Sequence, residues 1–240
     1  MSHGALLLHG FTATPECLES LAKPLRKNDF DVATPLLAGH GSTVQELANV
    51  TWQEWYAGVK TAYEELHKKN DSVMVAGLSL GGLLSLMLAS EFPVQRLALL
   101  ATPIFLSGIL SRFVLPLIDH TPLKYIYRYQ PKYAGPAIND PEMRAKFKSY
   151  SKMPIRSVQE IIKLQKELVP RLSKITVPTL ILHSPHDTTA PYENMAYIKE
   201  HLGAKKIETV ILEKSNHVLT MDYERDLVAA KVLEFFGGGV

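Results

Sequence analysis

The hexapeptide Gly77-Leu78-Ser79-Leu80-Gly81-Gly82 sets a serine between glycines two positions away on either side. It follows the apolar run 72–78 and precedes a helical pattern at 83–91. A strand-to-helix turn this sharp forces its central residue into a strained backbone conformation. The glycines leave room for neighbouring backbone, and the hydroxyl is presented outward. A serine hydroxyl is a weak nucleophile until a base removes its proton. Among the histidines, His217 is placed to do so, because it follows the last apolar run after the short polar turn Lys214-Ser215-Asn216. His3 is terminal, His67 lies on a charged helical face, His120 lies in a region without strand signal, and His201 ends a helix. A third group must orient the imidazole and stabilise its charged form. Asp187 is that group, in the loop Ser184-Pro185-His186-Asp187-Thr188 after another strand. Asp71 precedes a strand, Asp222 opens a helix where capping explains it, and Asp119 and Asp140 lie in the strandless region.

Each of the three has a plainer reading: a buried turn serine, a solvated loop histidine, a turn-forming aspartate. All three nonetheless follow strands, in the order Ser, Asp, His, which is one of three known chain orders of a serine triad. Acyl transfer also needs donors for the developing oxyanion. The first strand ends in His9-Gly10-Phe11-Thr12, where Gly10 permits a tight turn, so the backbone NH of Phe11 can join that of Leu80 at the start of the next helix. Two clusters compete for attention. His183-x-x-His186-Asp187 faintly resembles a metal site but lacks a third well-placed ligand. Gly39-His40-Gly41 marks a tight turn near the pocket, with His40 read as structural.

These positions depend on the elements that carry them. Buried-strand runs occur at 5–8, 32–33, 72–78, 96–100, 179–182 and 207–212, with helical spacing at 15–27, 52–69, 83–91, 192–202 and 223–236. Strands alternating with helices indicate a parallel sheet covered on both faces. In such sheets ligands bind beyond the carboxyl ends of the strands, where all the candidate residues fall. Between Thr102 and Val177 no strand signal appears. That region offers an apolar stretch from Ile104 to Ile118 and polar helices at 141–150 and 154–169. The expected architecture is α/β and doubly wound, with residues 1–102 and 177–240 as core and 103–176 as a helical cap.

Composition narrows the functions. At 240 residues, 46% of them hydrophobic, the chain can bury one sizeable core and is not disordered. Lys and Arg number 26 against 24 Asp and Glu, so there is no electrostatic case for nucleic acid. The single cysteine, Cys17, excludes an internal disulfide and a thiolate-rich zinc site. No apolar stretch is long enough to span a bilayer. The opening MSHGALLLHG lacks the basic start and length of a secretory signal, so the expected location is the cytoplasm.

Together HGF at the first strand, GHG after the second, GLSLGG, the HD loop and the SNH turn resemble the α/β-hydrolase superfamily, and within it bacterial carboxylesterases of the monoacylglycerol-lipase type. The resemblance spans nearly the whole chain except the insert. It implies Ser79 as nucleophile, Asp187 as acid, His217 as general base, Phe11 and Leu80 as oxyanion donors, and a cap over an acyl pocket. Many relatives open with a hairpin before the HGF strand. This chain starts almost at that strand, so six strands, all parallel, are expected. The implied activity is hydrolysis of short- to medium-chain carboxylic esters, monoacylglycerols among them, by a monomer or homodimer. No metal and no organic cofactor is implied, and the partner is a small-molecule ester. The same triad also serves thioesterases, acyltransferases and carbon–carbon hydrolases, and the fold serves non-catalytic binders.

Overall fold

Six short apolar segments pair edge to edge in the computed structural model, which describes residues 2–106, 128–131 and 135–238. They are β1 (His3–Leu8), β2 (Phe30–Ala33), β3 (Ser72–Leu78), β4 (Arg96–Leu100), β7 (Thr179–His183) and β8 (Ile207–Ile211). Their order is β2-β1-β3-β4-β7-β8, and every pairing is parallel. The central strands β1, β3 and β4 are buried on both faces, as a parallel sheet between helices requires.

Alternation along the strands divides the core in two. Leu6, Leu8, Val73, Val75, Leu97 and Leu99 join a cluster with Trp55, Val59 and Tyr63 of α3 (Trp52–His67) and with α4 (Leu80–Ala89). Ala5, Leu7, Met74, Ala76, Ala98 and Leu100 face α1 (Glu19–Lys27) and α8 (Arg225–Gly237) instead. Helix α3 begins at a full capping box, in which Thr51 and Glu54 satisfy each other's backbone NH groups. Helix α4 is apolar all round and buried from Leu80 to Leu88, the pattern of a core helix.

Register brings the functional loops together. Leu8 pairs with Gly77, Leu78 with Leu100, Leu100 with Leu182, and His183 with Ile211. The loops after β1, β3, β7 and β8 therefore leave from one edge. The chain first runs from β1 outward to β2, then crosses to β3 on the other side of β1. Such a reversal of strand order opens a crevice, and the loops after β1 and β3 flank it.

The region between β4 and β7 differs from expectation. It holds a two-stranded antiparallel pair, β5 (Tyr129–Pro131) with β6 (Lys152–Pro154), where the sequence shows no strand signal. Three residues are too few for a period-two pattern, and each strand ends in proline. The helix expected over 141–150 is α5 (Pro141–Lys146), which ends where Phe147 turns extended. Helix α6 (Ile155–Leu168) sends Ile161, Leu164 and Leu168 into the same cluster as α3 and α4. A further short helix, α2 (Val44–Leu47), and α7 (Glu193–His201) complete the described α-helices, beside 3-10 turns at Pro15–Leu18, Val169–Lys174 and Leu219–Met221. The expected apolar stretch is described only as far as Leu106; Ile109 to Ile118 lie outside the described residues. Among the described residues no helix is long and apolar enough to cross a membrane.

Candidate active site

Strand β3 ends at Leu78 and α4 starts at Leu80, so the chain turns on Ser79 alone. Ser79 has φ 55° and ψ −117°, in the left-handed region that a residue with a side chain seldom enters. Its NH donates to the Leu100 carbonyl at 2.8 Å, and its carbonyl accepts from Gly82 NH at 2.8 Å. The strained residue is thus held at both ends by sheet and helix. A Cβ on Gly77 would collide with the Gly81 carbonyl, one on Gly81 with the Leu8 carbonyl, and one on Gly82 with the Thr102 hydroxyl. Only glycine lets strand and helix approach this closely.

The hydroxyl of Ser79 lies 2.9 Å from His217 Nε2, and His217 Nδ1 lies 2.7 Å from Asp187 Oδ2. Ser79 and His217 are both buried. With Nδ1 donating to the carboxylate, Nε2 is left as the acceptor facing the hydroxyl. Asp187 Oδ1 meanwhile accepts the NH groups of Thr189 at 2.7 Å and Ala190 at 2.8 Å. Burial alone would push this carboxyl up. The facing His217 charge, the hydrogen bonds from His183 and His217 and the Ala190 NH more than reverse that, and hold it well below the usual carboxylate range.

The remaining two residues flank the serine. A Cβ built on Gly10 would stand 3.4 Å from that of Ser79, so the turn carrying Phe11 runs directly beside the hydroxyl. His9 fixes this turn. Its Nδ1 donates to the Gly10 carbonyl at 2.9 Å, and its Nε2 accepts Leu37 NH at 3.1 Å. Burial lowers its pKa to about 4, so this imidazole stays neutral. Leu80 is the first residue of α4, where a backbone NH has no partner within the helix and points toward the helix start. The Phe11 ring packs against His40 and Trp55.

A model of the Hydrolase_4 family (serine aminopeptidase, S33) matches residues 4–224. The chain belongs to this family. It is 31% identical over 238 residues to a thermostable monoacylglycerol lipase of Bacillus sp. (strain H-257), covering 97% of this chain and 90% of that protein. It is 28% identical over 234 residues to a carboxylesterase of Bacillus subtilis (strain 168), covering 96% and 90%. A solved structure from work on LipS and LipT, two metagenome-derived lipolytic enzymes, superposes with a TM-score of 0.89 at 27% identity, covering 98% of this chain and 93% of that one.

In this Hydrolase_4 chain the loop that carries His217 is held by residues with no motif of their own in the sequence. Asp222 is not an ordinary helix cap. It is fully buried, and its carboxylate accepts the NH groups of Asn139 at 2.9 Å, Asp140 at 3.0 Å, Asn216 at 2.7 Å and Tyr223 at 2.9 Å. The Ala137 carbonyl accepts the NH groups of both His217 and Val218. Asn216 Oδ1 accepts from Thr188 NH, and Ser184 Oγ donates to the Ser215 carbonyl at 2.6 Å, tying the Asp187 loop to the His217 loop. The one sequence signal of Asp222 is an acid five positions beyond His217, directly after Val218-Leu219-Thr220-Met221. His40 is buried edge-on to His9 and Trp55. His186 is exposed, while His183 turns inward toward Asp187. Among the described residues no three His, Cys, Asp or Glu side chains are grouped as metal ligands.

Proposed function

We propose that the protein is a serine carboxylesterase that hydrolyses short- to medium-chain carboxylic esters, monoacylglycerols among them, through an acyl-enzyme on Ser79. The observation that carries this reading is the continuous relay Asp187–His217–Ser79, with links of 2.7 and 2.9 Å. Lipase and carboxylesterase relatives support the ester as substrate.

His217 Nε2 takes the Ser79 proton as Oγ bonds to the ester carbonyl carbon, while Asp187 stabilises the imidazolium. The NH groups of Phe11 and Leu80 receive the oxyanion; one such donor is worth about 3 kcal/mol of barrier. The tetrahedral intermediate collapses, the carbon–oxygen bond to the alcohol breaks, and His217 returns its proton to the departing oxygen. Water then gives a proton to His217 and its oxygen to the acyl carbon. The second intermediate releases the carboxylic acid as Ser79 recovers its proton.

Residues 103–176 act as a cap over the acyl pocket, with 1–102 and 177–240 as the hydrolase core. The bonds from the insert to the loops beside the site support this. Ser149 Oγ lies 3.0 Å from Thr12 Oγ1, and Tyr150 OH donates to the Gly39 carbonyl at 3.0 Å. The same reading places the enzyme in the cytoplasm as a monomer or homodimer; its one cysteine, Cys17, is buried and unpaired.

The test is a panel of p-nitrophenyl esters of increasing chain length, run on wild type and Ser79→Ala. The expected loss in the variant is at least about a thousandfold. Comparable activity in Ser79→Ala overturns the reading. Cleavage of an acyl thioester by a wild type that leaves every ester untouched assigns a thioesterase instead.

A further inference from the structure

We propose that His183 is a positioning residue for the reaction: a buried imidazole whose Nε2–H lies between the Ala190 carbonyl and the Asp187 oxygen used by His217, holding the carboxylate in line and sharing its electron density. This deepens the triad reading above and rests on it for its effect on catalysis.

His183 is the last residue of β7, fully buried, with the side chains of His183 and Asp187 both at 0% exposure. Its Nε2 lies 3.3 Å from Asp187 Oδ2 and 3.2 Å from the Ala190 carbonyl. Both neighbours of that nitrogen are acceptors, so it must carry the proton. Nδ1 is buried without a hydrogen-bond partner. A proton there would be a buried N–H with nothing to receive it, so the geometry favours the Nε2–H tautomer. The Tyr192 ring stands edge-on, with centroids 5.9 Å apart and planes at 84°, and fixes the imidazole plane.

The arrangement completes the carboxylate. Oδ1 takes two backbone NH groups from its own loop, while Oδ2 takes His217 Nδ1 and faces His183 Nε2. Two ionisable side chains face Asp187, His183 from β7 and His217 from the loop after β8, and Tyr192 faces His183 from the other side. Three hydrogen bonds and the His183 contact restrain the carboxylate against rotation when His217 moves. The His183 proton also draws on the electron density that would otherwise go entirely to His217. Removing it leaves a more basic carboxylate, a better-stabilised imidazolium and a less well-aligned ring.

Histidine labelled with nitrogen-15 in the wild type gives the first readout. His183 is expected as the Nε2–H tautomer. An Nδ1–H tautomer overturns the proposal. The second readout is the pH profile of ester hydrolysis. In His183→Leu the acid limb of kcat/KM is expected to move to higher pH by about half a unit, with kcat down about tenfold and KM within about twofold. In His183→Gln the amide nitrogen reaches about as far as Nε2, and both effects should largely reverse. An unmoved acid limb in the leucine variant, or a glutamine variant no better than leucine, also overturns it. If the leucine variant does not fold, the tautomer and the glutamine variant decide. Activity retained in Ser79→Ala would end the triad reading separately, whatever the His183 tautomer proves to be.

Discussion

Asp222 Oδ2 accepts the backbone NH of Asn216, the residue before His217, at 2.7 Å. The same carboxylate holds Asn139 and Asp140, so one buried side chain ties the His217 loop to the segment that leads into α5. Replacing it leaves four NH groups, one buried and three part-buried, without their acceptor, and a fully buried one costs ~1–3 kcal/mol. Asp222→Ala is expected to lose at least about 3 kcal/mol of stability in urea unfolding, and kcat should fall more than KM rises. A variant as stable and active as wild type would refute this assignment.

Two glycines in helices should respond with opposite sign. Gly81 is the second residue of α4 and lies against the Leu8 carbonyl, where a methyl group has no space and the facing atom is backbone. Gly81→Ala is expected to abolish detectable ester hydrolysis and lower the melting temperature. Gly58 lies exposed in α3 with nothing within 4 Å of a built Cβ. Gly58→Ala should add about 0.5–1 kcal/mol and leave activity unchanged, as calorimetry and a standard ester assay would show.

His9 makes stability depend on pH. Its pKa is about 4 in the folded protein against an ordinary 6.5. Between those values the unfolded chain binds a proton that the native state refuses. This group's contribution is therefore complete above pH 6.5, falls as the pH drops toward 4, and falls no further below that. The full loss is about 3 kcal/mol. Unfolding free energies measured across this window should decline less steeply in His9→Asn than in wild type; equal slopes would contradict the assignment.

His40 packs among His9, Phe11 and Trp55. His40→Ala should cost about 2 kcal/mol of stability through lost ring contacts. It should keep more than about a tenth of kcat, because no proton passes through it. His217→Ala, assayed alongside, should lose about a thousandfold or more. Equal collapse of the two would give His40 a chemical role.

What the sequence revealed depended on whether the cause was local. The elbow was legible because Ser79 and its glycines lie within six residues and meet each other directly. His217 and Asp187 were legible because each follows a strand, and parallel strands end at one edge. Asp222 was misread because its partners at 139–140 belong to a segment with no periodic signal, and a short acid beside a helix looks like a cap. His183 was visible only as part of a doubtful metal pattern, since nothing in a chain says which way a strand's last side chain turns. The pair β5–β6 is too brief to mark the sequence, and helix α6 packs onto the body although it reads as part of the insert.

The strap around Ala137 has a practical consequence for anyone recombining this enzyme with its kin. Exchanging the whole of 103–176 would remove the carbonyl that receives His217 NH and Val218 NH, together with the amides clasped by Asp222. A transplant of the insert should end before Gly135. Past that point the donor sequence also replaces the groups that hold the His217 and Val218 amides in place.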